Sequence, residues 1–150
     1  MVANGTQRIF FTTDDQRDTL SVLRDTVDIP PQKCIAITEG PNGEIAGILP
    51  AATGDRVYGI SINEAIADPG FGASTTQSYA TLSRANKALV TVEPGQVVAI
   101  GDVVTPVGGT GNVQVQAAPT EYALGVALSS SDGTGTLAVP HLIDVAVLKT

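Results

Sequence analysis

Val92-Glu93-Pro94-Gly95-Gln96-Val97-Val98-Ala99-Ile100-Gly101-Asp102-Val103-Val104 is the stretch that decides the fold class of this chain. It holds the end of one apolar run, all of a second and the start of a third, cut by Pro94-Gly95 and by Gly101-Asp102. Runs this short and this rich in Val and Ile are strands, because β-branched side chains fit a pleated surface and the segments are too short for helices. Gly, Pro and Asp at the breaks supply the turns.

The same pattern extends in both directions. Apolar runs at 33–38, 44–49, 56–62, 88–92, 96–100, 102–107, 112–117, 123–128, 136–139 and 142–148 are separated by Gly, Pro, Asn, Asp and Ser. Asn42-Gly43, between two of them, is a strong hairpin signal. Closely spaced short strands predict a mostly β protein, a small β-barrel or β-sandwich-like domain, rather than alternating strands and helices.

One short N-terminal helix is expected near 14–26. Thr13-x-x-Gln16 fits a capping box, Asp14 and Asp15 follow the cap, and Leu20, Leu23 and Val27 recur at helical spacing before Pro30-Pro31. Residues 1–13 are then an extended N-terminal arm and 14–150 a single β-rich domain. The stretch 74–87 fits either a helix face or an extended segment. Val27-Asp28-Ile29-Pro30-Pro31-Gln32-Lys33-Cys34-Ile35-Ala36-Ile37 also echoes Val92 to Ile100, which suggests two related β-units packed face to face.

Composition narrows the function. Apolar residues make up 43% of the 150, yet the aromatics are three Tyr and three Phe with no Trp, so the core is aliphatic. Net charge is −7 with no basic run, which argues against nucleic acid as a partner, since binding phosphates requires clustered Lys and Arg. No apolar stretch approaches the ~20 residues of a membrane helix, and Met1 to Gly5 lacks the features of a signal peptide, so synthesis in the cytoplasm is expected. Cys34 is the single cysteine and reads as a small buried apolar residue.

Candidate chemistry is sparse. His141 is the single histidine, in a strand-start setting without a nearby nucleophile, and is expected to be a hydrogen-bonded structural residue. Asp14, Asp15 and Asp18 could pair for acid-base work or bind a cation, but two of them stand where a helix dipole favours negative charge. Gly108-Gly109-Thr110-Gly111-Asn112 lacks the Lys and following helix of a phosphate loop and is expected to be a flexible connection. No catalytic residue, cofactor or metal ligand is assigned, and the chain is expected not to be an enzyme.

Three resemblances bear on function. Val92 to Val104 looks like the strand-turn-strand of biotinyl and lipoyl carrier domains, but no Lys follows until Lys149. Asp68-Pro69-Gly70-Phe71-Gly72-Ala73-Ser74-Thr75 resembles the glycine-rich motif of trimeric dUTPases, though mid-chain rather than terminal, which leaves a nucleotide hydrolase as an alternative. The most extensive likeness is to capsid decoration (cement) proteins of tailed bacteriophages. It rests on Tyr122-Ala123-Leu124-Gly125-Val126-Ala127-Leu128, a Ser/Asp/Gly turn, Thr136-Leu137-Ala138-Val139 and Ile143-Asp144-Val145-Ala146-Val147. Gln96 to Val104 and Gly111-Asn112-Val113-Gln114-Val115 extend it upstream, and Gly47-Ile48-Leu49-Pro50-Ala51-Ala52 is similar to a phrase of lambda-type head decoration proteins.

This resemblance implies a structural virion protein on the outer surface of the expanded phage head, cementing adjacent capsomers against internal DNA pressure. The implied partners are the major capsid protein and other copies of the chain, as a homo-oligomer, most simply a trimer, with no nucleic acid and no membrane. A virion fibre or receptor-binding module is a further alternative. The expected contact residues are Arg8, Ile9, Phe10, Phe11 and Thr12, since a β-favouring apolar segment on a terminal arm is best covered by an outside partner through strand addition.

Overall fold

The computed structural model describes residues 19–24, 28–40, 42–43, 45–62, 79–83 and 86–148. They form strands and turns with no helix among them, so the protein is mostly β. Strands β1 (Thr19–Arg24), β2 (Cys34–Glu39), β3 (Ile45–Ile48), β4 (Gly59–Ser61) and β5 (Tyr79–Ser83) make a closed barrel in the order β1-β3-β2-β4-β5. Closure comes from β5 returning antiparallel to β1, Leu20 opposite Leu82, while β1 and β3 run parallel, Leu23 opposite Ala46. A closed sheet leaves no edge strand exposed along the barrel wall.

The second half builds an open five-stranded sheet from β6 (Lys87–Thr91), β8 (Val103–Pro106), β9 (Val113–Val115), β10 (Gly125–Ala127) and β12 (Leu142–Val147), in the order β6-β12-β10-β8-β9. Two short strands, β7 (Val97–Val98) and β11 (Ser131–Asp132), pair as a separate ribbon. In β12 the alternation is direct: Ile143 and Val145 are fully buried, while Asp144 between them and Ala146 after them are half-buried. Period-two burial of this kind sets the register, because a one-residue slip would turn both aliphatic side chains out of the core.

One aliphatic cluster joins the two sheets. Cys34, Val57 and Ile60 from the barrel half pack with Val90, Val92, Val98, Val104, Val113, Leu124, Ala127, Ile143 and Val145. Each large aliphatic side chain buried there stabilises the fold by roughly 1.5–3 kcal/mol. Backbone bonds cross the same seam. Thr91 N–H donates to Gln32 O at 3.0 Å, Gly54 N–H to Pro106 O at 2.9 Å and Tyr122 N–H to Gly54 O at 2.9 Å.

The structure departs from the sequence reading in some places and resolves it in another. Thr19–Arg24 is strand β1, not part of the helix expected near 14–26, and the other residues of that expectation, 14–18 and 25–26, lie outside the described residues. Thr19-Leu20-Ser21-Val22-Leu23 also alternates polar and apolar residues, and pairing on both sides to β3 and β5 selects that period over the helical one. The ambiguous 74–87 stretch contains β5 at Tyr79–Ser83. The run 136–139, expected as a strand, is an exposed turn closed by Thr136 N–H to Val139 O at 3.0 Å, and the strand beside it is Ser131–Asp132. The echoed segments occupy unlike places, β2 inside the barrel and β7 in the two-stranded ribbon.

Asn42-Gly43 does turn the β2–β3 hairpin, with Gly43 at φ 82° and its N–H donating to Gly40 O at 3.1 Å. The arm, residues 1–13, lies outside the described residues.

Candidate functional site

Three groupings of side chains stand out among the described residues. The first is a set of exposed aliphatic residues carried by the β7–β11 ribbon and its flanking segments. Val97 rests beside Gly133, and Ile100 precedes Gly101, whose N–H donates to Ala127 O at 2.8 Å. Leu137 and Val139 occupy the turn that follows. Their exposures are 65% for Val97, 70% for Ile100, 84% for Leu137 and 70% for Val139, whereas Val98 in the same ribbon is fully buried. Large aliphatic side chains left exposed on the ribbon and on the turn after it are available for contacts with other proteins.

The second grouping is polar and sits at the seam between the two sheets. Asn112 is 2% exposed and precedes β9, Glu93 follows β6, and Lys33 precedes β2. Lys33 Nζ donates to Asn112 Oδ1, and Asn112 Nδ2 donates to Glu93 Oε2 at 2.8 Å. Thr110 Oγ1 donates to the same carboxylate oxygen at 2.9 Å. Burial pulls the Lys33 amine below the usual lysine range, opposed by the Glu93 carboxylate nearby.

Backbone positions all three residues. Cys34 N–H donates to Gly111 O at 2.6 Å, and Glu93 N–H donates to Val113 O at 2.8 Å. Gly111, at φ 70°, lets the 108–112 loop lie against β2, since a Cβ there would stand 2.8 Å from Cys34 O. The loop is further tied by Gly109 N–H to Pro50 O at 2.7 Å and by Gly108 N–H to Thr53 Oγ1 at 3.2 Å. It is thus a pinned element and not the flexible connection expected from its glycines.

The third grouping contains His141. Its Nδ1 lies 3.0 Å from Ser131 Oγ and 3.6 Å from Asp132 Oδ1, and Asp132 also accepts from Thr134 N–H and Oγ1 at 3.0 and 2.7 Å. A hydroxyl does stand beside the imidazole, contrary to the sequence reading. Both partners address the same ring nitrogen, however, whereas a nucleophile relay needs serine and carboxylate on opposite nitrogens. The arrangement joins β11 to the entry of β12, as a hydrogen-bonded structural histidine does. Bonds from Thr134 hold the Asp132 carboxyl below its usual range.

Among the described residues no group of three His, Cys, Asp or Glu side chains comes together to hold a metal ion. Arg8, Ile9, Phe10, Phe11 and Thr12, the contact residues expected from the sequence, lie outside the described residues, as do Asp14, Asp15, Asp18 and the 68–75 motif. The Lys33, Glu93 and Asn112 grouping was missed in the sequence reading because its members are scattered, Lys33 and Asn112 being 79 positions apart. The available signal was weak: a charged or amide residue flanking each of three otherwise apolar strands.

No protein-family model matches this chain, and no curated protein matches it. The architecture defines a small two-sheet β-domain, and solved structures share it. The fold is similar to the N base of the head fiber gp8.5 of bacteriophage phi29, with a TM-score of 0.60 over 87% of this chain and 95% of that one. Sequence identity is 14%, so the likeness is one of fold.

Proposed function

We propose that this chain is a structural protein of a tailed-phage head, bound to the outer surface of the expanded shell and acting without catalysis. The observation that carries the reading is the shared fold with a phage head-fiber base over nearly the whole of both chains. The sequence resemblance to head decoration proteins points the same way from different residues. Exposed aliphatic side chains at Ile100, Leu137 and Val139 suit lattice contacts.

In this reading the β-domain cements adjacent capsomers. A clip that binds only the expanded lattice stabilises that state by mass action at every occupied position, opposing the outward push of packaged DNA. Arg8 to Thr12 lie extended against a capsid subunit or a neighbouring copy, with backbone hydrogen bonds supplying affinity and the two Phe rings filling apolar pockets. Copies meet as a homo-oligomer, most simply a trimer, through neutral aliphatic faces.

A second reading is favoured by the particular neighbour: the chain is the base on which a head fibre is mounted. Both readings place it on the head, and they part on what its loss does. Purified chain added to expanded heads lacking it should co-sediment and saturate at a fixed ratio to the major capsid subunit. Heads that leak DNA on heating without the chain identify a cement, while equally stable heads with poorer host attachment identify a fibre base. Failure to co-sediment at any concentration overturns both.

A further inference from the structure

Lys33, Asn112 and Glu93 form a set with more chemistry in it than a structural hydrogen-bond network requires. A primary amine is held directly against the side-chain carboxamide of a residue only 2% exposed, and a carboxylate holds the nitrogen of that same carboxamide at 2.8 Å. These are the three parts of a transamidation: a nucleophile, an acyl group with its leaving nitrogen, and a proton carrier touching the leaving atom. We propose that Lys33 and Asn112 are joined by a self-catalysed isopeptide bond, with Glu93 as the catalytic proton shuttle.

The step balances without any co-reactant. Neutral Lys33 Nζ attacks Asn112 Cγ, forming a C–N bond and placing the electron pair of the carbonyl on Oδ1. Glu93 Oε2 takes one proton from Nζ and delivers it to Asn112 Nδ2. The Cγ–Nδ2 bond then breaks, ammonia leaves, and Glu93 returns to its carboxylate. Amine plus carboxamide become one secondary amide plus ammonia, with no change in oxidation state.

Three features favour the forward reaction here. Burial lowers the Lys33 pKa and so raises the fraction of amine in its nucleophilic form. Asn112 is itself only 2% exposed, which limits the water that would compete for the acyl carbon. Fixed backbone holds the reactants together: Cys34 N–H bonds to Gly111 O at 2.6 Å, and Glu93 N–H to Val113 O at 2.8 Å. Holding both reacting groups in place replaces an encounter between separate molecules. Thr110 Oγ1, bonded to Glu93 Oε2 at 2.9 Å, orients the carboxylate. The product would link the chain entering the barrel at β2 to the chain entering β9 of the second sheet, covalently closing the seam that the shared core closes by packing.

Mass spectrometry of the full chain, denatured after expression, tests this. The proposal requires a mass below that of the sequence by one ammonia, about 17 Da. It also requires a branched tryptic product joining residues 25–56 to 88–149, because an acylated Lys33 is not cleaved. Lys33→Arg and Asn112→Ala should each restore the full sequence mass. Glu93→Gln, which keeps both reacting residues, should slow the loss by about 100-fold or more. A wild-type chain at its full sequence mass overturns the proposal, as does a loss of ammonia confined to a linear peptide around Asn112. The wild-type spectrum and peptide map decide by themselves, so a variant that fails to fold leaves the test intact.

Discussion

Gly111 O accepts the Cys34 N–H at 2.6 Å, and this bond fastens the loop before β9 to the first residue of β2. Gly111 has φ 70° and no room for a side chain, since a Cβ would stand 2.8 Å from Cys34 O and 3.1 Å from Lys33 Cβ. Its neighbour Gly109 has φ 81° but open space where a Cβ would go. The two glycines therefore separate backbone strain from close packing at one seam.

Gly111→Ala should destabilise the protein by about 2–5 kcal/mol, combining left-handed strain with displacement of the β2 backbone. Gly109→Ala should cost only the strain, about 1–2 kcal/mol. Urea denaturation of both variants checks this, and equal losses would show that the loop is not pinned where Gly111 meets β2.

Cys34 should be inert in the folded protein. It is fully buried, and burial pushes its thiol up to about 12. A thiol reagent at pH 8 should label it only after denaturant is added. Its raised folded pKa also means a contribution to stability that is complete below the unfolded value near 9.0 and is lost as pH rises from there toward 12. In Cys34→Ala that part of the alkaline decline should be missing from a plot of denaturation midpoint against pH.

The strands were legible because their ends are chemically marked. Asn42-Gly43, Pro94-Gly95 and Gly101-Asp102 interrupt apolar runs where the chain must turn, and the observed β3, β6, β8, β10 and β12 fall inside the expected runs or within a residue of them. Thr19–Arg24 was illegible because Leu20 and Leu23 satisfy a helical spacing while Leu20 and Val22 satisfy a strand spacing. Its partners, Ala46 and Thr81, are remote in sequence, so only tertiary pairing breaks the tie. The run 136–139 has apolar content but is turned back on itself by the Thr136 N–H to Val139 O bond, and Leu137 stands 84% exposed. The Lys33, Glu93 and Asn112 set depends on loop docking at Gly111, which no local pattern announces.

Replacing Leu137 and Val139 together by Ser should change folding stability by less than about 0.5 kcal/mol, because both side chains already stand in solvent. If the ribbon side of the domain meets the shell, the same double variant should occupy fewer sites on heads at a given concentration. Unchanged head binding would remove this surface from the interface.

The arm carries the sharper expectation. Removing residues 1–12 should leave a soluble domain with an unaltered β circular dichroism spectrum that decorates heads poorly. Burial of one Phe ring contributes roughly 1.5–3 kcal/mol, so Phe10→Ala with Phe11→Ala should weaken each contact by about 100-fold or more. Equal binding by the truncated and full chains would assign the contact to the β-domain faces alone.

The most direct measurement is the copy number of this chain in purified virions relative to the major capsid subunit, by quantitative mass spectrometry after density-gradient purification. A head-bound structural protein should remain with the particle at a constant ratio from preparation to preparation, set by the number of equivalent sites on the shell. Absence from purified particles, or a ratio that falls toward zero as purification proceeds, would contradict the proposed role.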